Sequence, residues 1–548
     1  MKNKSILLIS VFIFCISSEI LFAQYDKVSV TNPVYSFLER AEAKGFLPNK
    51  SLALKPLMRY EIIEALKLIR KNENELSEFD LQILKKFEKY FEIIDEEKLV
   101  LFYSPHDSSQ VFSKRIFDDN PKYVYHYDDS EHNLYIAPLI ILEDILKVQN
   151  NSTDNVFYGN IGLRTFGTLG NLLGYNLQFT NGLVLTGNRE ILKLDKNISG
   201  NLKFMELNSD FDFVESGVNL KYKWLNISIA KEARQWGSGV MSSFYLSDDA
   251  QPFTAINIGV NFNIFSYLYT HGSLISYYPD SVRTGFNAVV PDRNLTMHRL
   301  SIKPEWGEFA VWEGIVYSKR GIDVNYLNPL SFYKSLEHYL RDRDNSLLGF
   351  DFTVRPVKNI ELKGTFILDD IIYRRIGKNY WSNKTAWNAG ILYSPKLPID
   401  LGFEYSRIEP YTFSHFDILN NYTNDRHLLN SGMQPNSDQF AGIIRFWWGE
   451  KIPLKFKVAY IRHGENIYDE NGKLIRNVGG DFNNARYIND SEFVYFLDGI
   501  RNDVIACEFN IGYEIFRDCY LKGTYNYYKS QLQPEYHLLR LSINYENF

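Results

Sequence analysis

Hydrophobic and polar residues alternate along most of this chain, and the C-terminal stretch shows the pattern best. Cys507, Phe509, Ile511, Tyr513 and Ile515 alternate with Ala506, Glu508, Asn510, Gly512 and Glu514. Beyond Arg517-Asp518, Leu521, Gly523, Tyr525 and Tyr527 alternate with Lys522, Thr524, Asn526 and Tyr528. Past Pro534, Leu539, Leu541, Ile543 and Tyr545 alternate with Arg540, Ser542, Asn544 and Glu546. A period of two puts the two sets on opposite faces of a strand. Three successive strands therefore each carry an apolar-aromatic face and a polar face. Two structures fit: the half-buried antiparallel sheet of a soluble sandwich, or the wall of a membrane barrel with lipid outside and water inside.

The pattern runs upstream to about Lys98. Leu362, Gly364, Phe366 and Leu368 oppose Glu361, Lys363 and Thr365, and Ile399, Leu401, Phe403 and Tyr405 oppose Asp400, Gly402, Glu404 and Ser406. Some connections are tight, such as Gly449 to Ile452 and Pro395 to Pro398. Others are long: Gly187 to Asp210, Pro279 to Leu295, Ser318 to Ser346, Pro410 to Asp438 and Gly464 to Asn502. Short turns on one rim and long loops on the other are the habit of bacterial outer-membrane barrels, whose strand numbers are even. The segments number about eighteen or nineteen, which predicts about 18 antiparallel strands.

Before Lys98 the period changes to that of helices. Val34, Phe37, Leu38 and Ala41 share one face after Pro33; Ile62, Ile63, Leu66 and Ile69 share another after Pro56; Ile83, Leu84, Phe87 and Phe91 follow a Ser77/Asp80 capping box. The expected organisation is a leader over 1–23, a small helical unit over 24–97 that leans on the barrel, and an all-β transmembrane barrel over 98–548.

The N-terminus supports export. Lys2 and Lys4 precede an apolar run from Ile6 to Ile16 that is too short to span a membrane, and Leu21-Phe22-Ala23 precedes Gln24. This reads as a signal peptide cleaved after Ala23. Aromatic residues make up 16% of the chain, with 38 Tyr and 39 Phe, a bias that suits membrane interfaces. Mean hydropathy is only −0.27, because alternation hides the apolar face from an average. A net charge of −6 argues against a nucleic-acid partner. Cys507 and Cys519 fall strand-lengths apart, so neither a disulfide nor a cysteine-ligated metal is expected. Phe548 is a terminal aromatic of the kind that barrel-assembly machinery recognises, one residue out of phase with Leu541-Ile543-Tyr545.

Catalytic patterns are missing from the sequence. It has no H-E-x-x-H, phosphate loop or G-x-S-x-G elbow, and Gly237-Ser238-Gly239 lacks the elbow spacing. Asp248-Asp249 and Asp369-Asp370 are adjacent, so on a strand their carboxylates diverge. No enzyme activity and no cofactor or metal are expected. Binding chemistry is better represented. Arg234-Gln235-Trp236-Gly237 joins a fixed cation, an amide and a flat ring; Tyr326 to Tyr333 adds aromatics and amides; Arg341-Asp342-Arg343-Asp344-Asn345 adds mixed charge. Stacking rings and planar polar groups are what sugars need. Arg234, Trp236, Asp248, Asp249, Asn328, Tyr333, Arg341 and Asn345 are the candidate polysaccharide contacts. For each, an interfacial girdle or a loop clasp is the structural alternative. The segments Arg234 to Pro252 and Ile322 to Asp344, which break the alternation, are candidates to fold into the lumen.

Those same residues carry a resemblance. Arg234-Gln235-Trp236-Gly237-Ser238-Gly239, Leu246 to Pro252, Tyr326 to Tyr333 and Asn345 to Asp351 resemble the capsule assembly Wzi family of outer-membrane proteins. Leu54-Lys55-Pro56-Leu57-Met58-Arg59 resembles the N-terminal part of its Bacteroidetes members. The resemblance implies an eighteen-stranded barrel with a periplasmic helical bundle. It also implies a lectin-like role in attaching or assembling capsular or exopolysaccharide. The partners expected are that glycan, outer-membrane lipid and the assembly machinery. A porin for passive or sugar-selective diffusion is the alternative.

Overall fold

The computed structural model describes residues 24–548 apart from 95–96, 103–109, 112–116, 130, 202–203, 205–209, 277–289 and 547–548. The leader expected over 1–23, and Phe548, lie outside the described residues. Eighteen antiparallel strands close into a barrel. In chain order they are β1 Asn133–Gln149, β2 Ser152–Leu169, β3 Leu173–Gly187, β4 Asp210–Tyr222, β5 Leu225–Glu232, β6 Phe253–Phe262, β7 Phe265–Leu274, β8 Arg293–Ile302 and β9 Gly307–Ser318. They continue as β10 Asn345–Val357, β11 Ile360–Asp370, β12 Lys384–Tyr393, β13 Ile399–Ile408, β14 Ser437–Trp448, β15 Ile452–Glu465, β16 Ile500–Phe516, β17 Cys519–Ser530 and β18 Tyr536–Glu546. The seam joins β18 to β1, from Tyr536 opposite Gln149 to Glu546 opposite Leu139. The first four residues of β1, at the short-turn rim, pair instead with a short strand, Tyr125–Asp128. That hairpin accounts for the nineteenth segment in the alternation.

Parity assigns the faces as the sequence predicts. Phe509, Ile511, Tyr513, Leu541 and Ile543 project from the outer wall. Asn510, on the other parity, binds Glu508 and Thr524 inside. A closed sheet leaves no unpaired edge, so an apolar outer band can face lipid with every backbone group satisfied. Among the described residues no helix is long and apolar enough to cross a membrane. The chain is a barrel of the bacterial outer-membrane type, crossing by strands. Cys507 pairs with Tyr527 and Cys519 with Phe516 across the β16–β17 ladder, and both thiols are free.

Among the described residues, three α-helices precede the wall: α1 Val34–Ala43, α2 Arg59–Lys71 and α3 Glu78–Tyr90. Ser77 caps α3, its hydroxyl accepting from Asp80 N at 3.2 Å while its own N–H donates to the Asp80 carboxylate at 3.3 Å. The predicted stripes meet, with Phe37, Leu38, Ile62, Leu66, Ile69, Leu84 and Phe87 in one buried cluster. The unit docks on the short-turn rim. Arg40 donates to the carbonyls of Pro395 (2.8 Å), Leu397 (2.7 Å) and Ile399 (3.0 Å), and pairs with Asp80 (2.7 Å) and Asp400 (2.6 Å). A buried guanidinium is tolerable only when its donors are all used in this way. Between α3 and the wall lies a small parallel sheet of Leu99–Val100, Gln110–Val111 and Lys122–Tyr123.

Candidate functional site in the lumen and on the long-loop rim

The lumen is filled from both ends. The connection between β5 and β6 turns inward, and Leu54 and Lys55 of the N-terminal unit pair with Trp236 and Gln235 as a two-stranded antiparallel sheet. Gly237 N donates to Ala53 O at 2.8 Å. The descending backbone is received by polar side chains of the inner wall. Ser238 N and Oγ reach Thr365 (3.2 Å) and Thr353 (3.1 Å). The Glu404 carboxylate accepts from Val240 N (2.6 Å), Met241 N (3.2 Å) and the Ser242 hydroxyl. Asn388 donates to Ser242 Oγ at 3.0 Å and accepts from Thr365 N at 2.7 Å. The alternation of β10 to β13 thus supplies one polar side chain per strand to satisfy the half-buried backbone of the inward loop.

Beyond those bonds the filling is a packed core. Tyr245 stacks on Trp312 of β9 with centroids 4.1 Å apart. The Trp312 ring occupies the space where a side chain at Gly349 would sit, within 2.0 Å of the ideal Cβ position. Phe413, Tyr422, Leu428 and Leu429, from the connection between β13 and β14, close the same cluster from above. Arg299 pairs with Asp351 (2.6 Å) and Glu308 (2.9 Å) in its floor.

A cavity of about 490 Å³ remains on the β1–β5 side. Tyr158, Asn160, Gln178, Thr180 and Phe211 line it from the wall, and Asp195, Asn201, Asp248 and Gln251 line it from the loops. Asn160 Oδ1 is buried there with no hydrogen-bond partner. Arg540 clasps the neighbouring wall and loop through Glu143 (2.5 Å) and Asp195 (3.3 Å).

The long-loop rim carries a second feature that sequence reasoning missed. The connections 371–383 and 466–499 join at a bridge between Tyr380 and Phe493, with Trp381 N bonding Glu492 O (3.1 Å) and Val494 N bonding Asn379 O (2.8 Å). Arg375 lies 4.2 Å over the Tyr380 ring and Arg486 lies 5.1 Å over Trp381. Tyr373, Tyr487, Phe493 and Tyr495 are exposed around them. The result is a ledge of flat rings, guanidinium groups and amides. The available signal was Arg set beside aromatics in both loops, as in Tyr373-Arg374-Arg375 and Arg486-Tyr487, with Tyr380-Trp381 close by.

The structure does not bring the eight predicted contacts together. Arg234 is buried, donating to the carbonyls of Ala230 (3.1 Å), Glu232 (3.1 Å) and Phe253 (2.9 Å), and Trp236 lies in the lumen core. Asp248 lines the cavity, and neighbouring Asp249 is exposed and accepts from Ser247 Oγ at 3.2 Å. Asn345 donates to Asn420 O at 2.9 Å in the cap. Asn328, Tyr333 and Arg341 belong to the connection between β9 and β10, which lies outside the wall. Of the two segments expected to fold in, Arg234 to Pro252 does. Ile322 to Asp344 does not, because the outer wall beneath it carries polar partners for it.

No protein-family model matches the chain, and no curated protein matches it. Among solved structures, one match is Wzi of Escherichia coli, described as an outer-membrane protein involved in group 1 capsule assembly and a carbohydrate-binding β-barrel. The two share 12% identity and a TM-score of 0.55 over 95% of this chain and 100% of Wzi. The fold is similar to that of Wzi. OpdL of Pseudomonas aeruginosa (11% identity, TM-score 0.42, 75% of this chain and 98% of OpdL) also matches. So does OccAB4 of Acinetobacter baumannii (11% identity, TM-score 0.44, 76% of this chain and 97% of OccAB4).

Proposed function

We propose that this chain is an outer-membrane protein that binds capsular or exopolysaccharide at the cell surface and holds it there or helps to assemble it, without catalysing a reaction. The observation that carries this reading is the filled lumen. A diffusion pore needs a continuous aqueous path, and here the inward loop and the helical unit are hydrogen-bonded to each other in mid-barrel. What the chain offers instead is a rim of rings, guanidinium groups and amides, the set that stacks on sugar faces and pairs with sugar hydroxyls and acidic substituents. The description of Wzi as carbohydrate-binding supports the same reading. Its membership of the Bacteroidetes branch of that family is part of the proposal.

The test has three arms. Deleting the gene in an encapsulated host should release surface glycan into the medium, and fully cell-attached glycan would defeat the proposal. Purified protein in planar bilayers should give no large steady conductance, and such a conductance would favour the porin. Arg486→Ala with Tyr487→Ala should weaken binding of the host's own glycan at least tenfold while leaving the heat-modifiable barrel intact.

A further inference from the structure

The outer wall of β7 to β10 departs from the lipid-facing rule. Leu300, Val311 and Phe350 project outward and are exposed. On the same parity, closer to the long-loop rim, stand Tyr269, His271, His298, Glu313 and Tyr317, a polar set that lipid would not tolerate uncovered. The connection 319–344 covers it. Tyr326 and Tyr333 are fully buried against Ile315 and Tyr317 in a hydrophobic cluster of their own, outside the barrel. The polar groups of this set are answered from the covering segment or from their neighbours, while the Thr296 hydroxyl beside them is buried without a partner. His298 pairs with Glu313 at 2.9 Å and stacks on Tyr333 at 4.4 Å. Glu313 accepts from Tyr333 N at 3.0 Å, Tyr269 donates to Tyr326 O at 3.0 Å, and Tyr267 donates to Pro329 O.

The opposite face of the segment is largely apolar around Val324, Leu330 and Phe332, with Asn325 and Asn328 exposed among them and Arg341, Asp342 and Arg343 exposed near its rim end. Val324 is 77% exposed, Leu330 85% and Phe332 55%, and this face runs directly into the exposed wall residues Leu300 and Val311 below it. The level can be bounded from the strand. From Arg293 at the end of β8 to His298, which touches Pro329 O, is roughly 16 Å of chain, or about 12 Å below the rim at a tilt of about 40°.

We infer that residues 319–344 form a strap laid on the outside of the barrel, within the outer leaflet, where Val324, Leu330 and Phe332 contact lipid acyl chains. The occupant is lipid because the strap completes the apolar belt of the wall: it hides the polar set and replaces it with side chains of the belt's own character. A second copy of the chain or a protein partner would be a different occupant, and the experiment separates them.

A fluorescent label (NBD) is attached at Leu330→Cys in the full chain carrying Cys507→Ser and Cys519→Ala, reconstituted in phosphatidylcholine vesicles with or without brominated acyl chains. Ile511→Cys is the lipid control and Lys473→Cys, exposed in the connection 466–499, is the water control. The expected result is quenching by brominated lipid at Leu330 of at least half that at Ile511, with aqueous iodide quenching several-fold weaker than at Lys473. Iodide quenching equal to that at Lys473 overturns the inference. Protection from both quenchers also overturns it and identifies a protein occupant, which crosslinking would show to be a second copy. If the Leu330 variant does not become heat-modifiable, Val324→Cys reads the same surface.

Discussion

Gly237 N lies 2.8 Å from Ala53 O, so a loop descending from one rim is bonded to a segment rising from the other. The wall around that bond is ordinary barrel; the bond itself makes the barrel a closed object. Gly237 has φ of +112°, and a Cβ there would press on Tyr245 at 3.3 Å. Gly237→Val should cost about 1–2 kcal/mol from the backbone conformation alone. The expected outcome is transient current steps in planar bilayers that the native protein lacks, with an unchanged fraction of heat-modifiable barrel.

Glu404 is the wall's main hold on the same loop. Removing its carboxylate leaves Val240 N and Met241 N without an acceptor and the Ser242 hydroxyl with only Ser406 Oγ, 3.5 Å away. Each orphaned buried donor costs about 1–3 kcal/mol. Glu404→Ala should therefore make the segment 233–252 cleavable by protease added to the purified barrel, whereas Glu404→Gln, which keeps one acceptor oxygen, should be cut several-fold more slowly. Equal resistance in both variants would show that the packing around Tyr245 suffices.

Ile511 faces lipid and Asn510 faces the lumen. A cation on the lipid face costs about 2–4 kcal/mol at the bilayer midplane. Ile511→Arg should reduce the heat-modifiable fraction recovered from outer membranes well below that of Asn510→Arg, although the latter also loses two hydrogen bonds. Equal recovery would contradict the assigned faces.

Docking of the helical unit should depend on pH. Burial first, and then the nearby Glu361 carboxylate, push the Glu42 carboxyl on α1 up from its usual 4.5 to about 7, against the opposing pull of Lys363 and Arg355. A carboxyl that holds its proton more tightly when docked favours the docked state at low pH. That advantage declines as pH rises from about 4.5 through about 7 and is flat above. Hydrogen exchange of α1, corrected for the base-catalysed intrinsic rate of each amide at that pH, should therefore be slower at pH 5 than at pH 8, and Glu42→Gln should flatten the corrected difference. A native profile that is flat, or slower at pH 8, would remove Glu42 from this role.

Much of the architecture could be read in the chain because a barrel wall is written in local parity. Phe509, Ile511 and Tyr513 announce their face by position alone, and the α1–α3 stripes announce theirs by a period near 3.6. The fillings could not be read that way. Arg234 and Trp236 have the composition of a sugar site, yet they serve packing, because which carbonyls surround a guanidinium is set by distant strands. The strap over residues 319–344 did leave a trace. His298 and Glu313 fall on the parity that should have met lipid, which is a local contradiction resolved only by a cover. The ledge of Tyr380, Trp381 and Arg486 left less, since it depends on two loops separated by some hundred residues finding each other across the rim.

The stack of Tyr245 on Trp312 has one more consequence. One ring belongs to the filling and the other to the wall, and they share a single buried cluster with Phe413 and Tyr422. A plug that merely sits in a pipe can swing or slide on the time scale of a gate. Here, clearing the bore would mean melting a hydrophobic core that the wall itself depends on, an event that belongs with slow sub-global unfolding rather than with channel flicker. In mechanical terms the molecule is a peg through the membrane, stiffened from within by the core that its wall and its filling share.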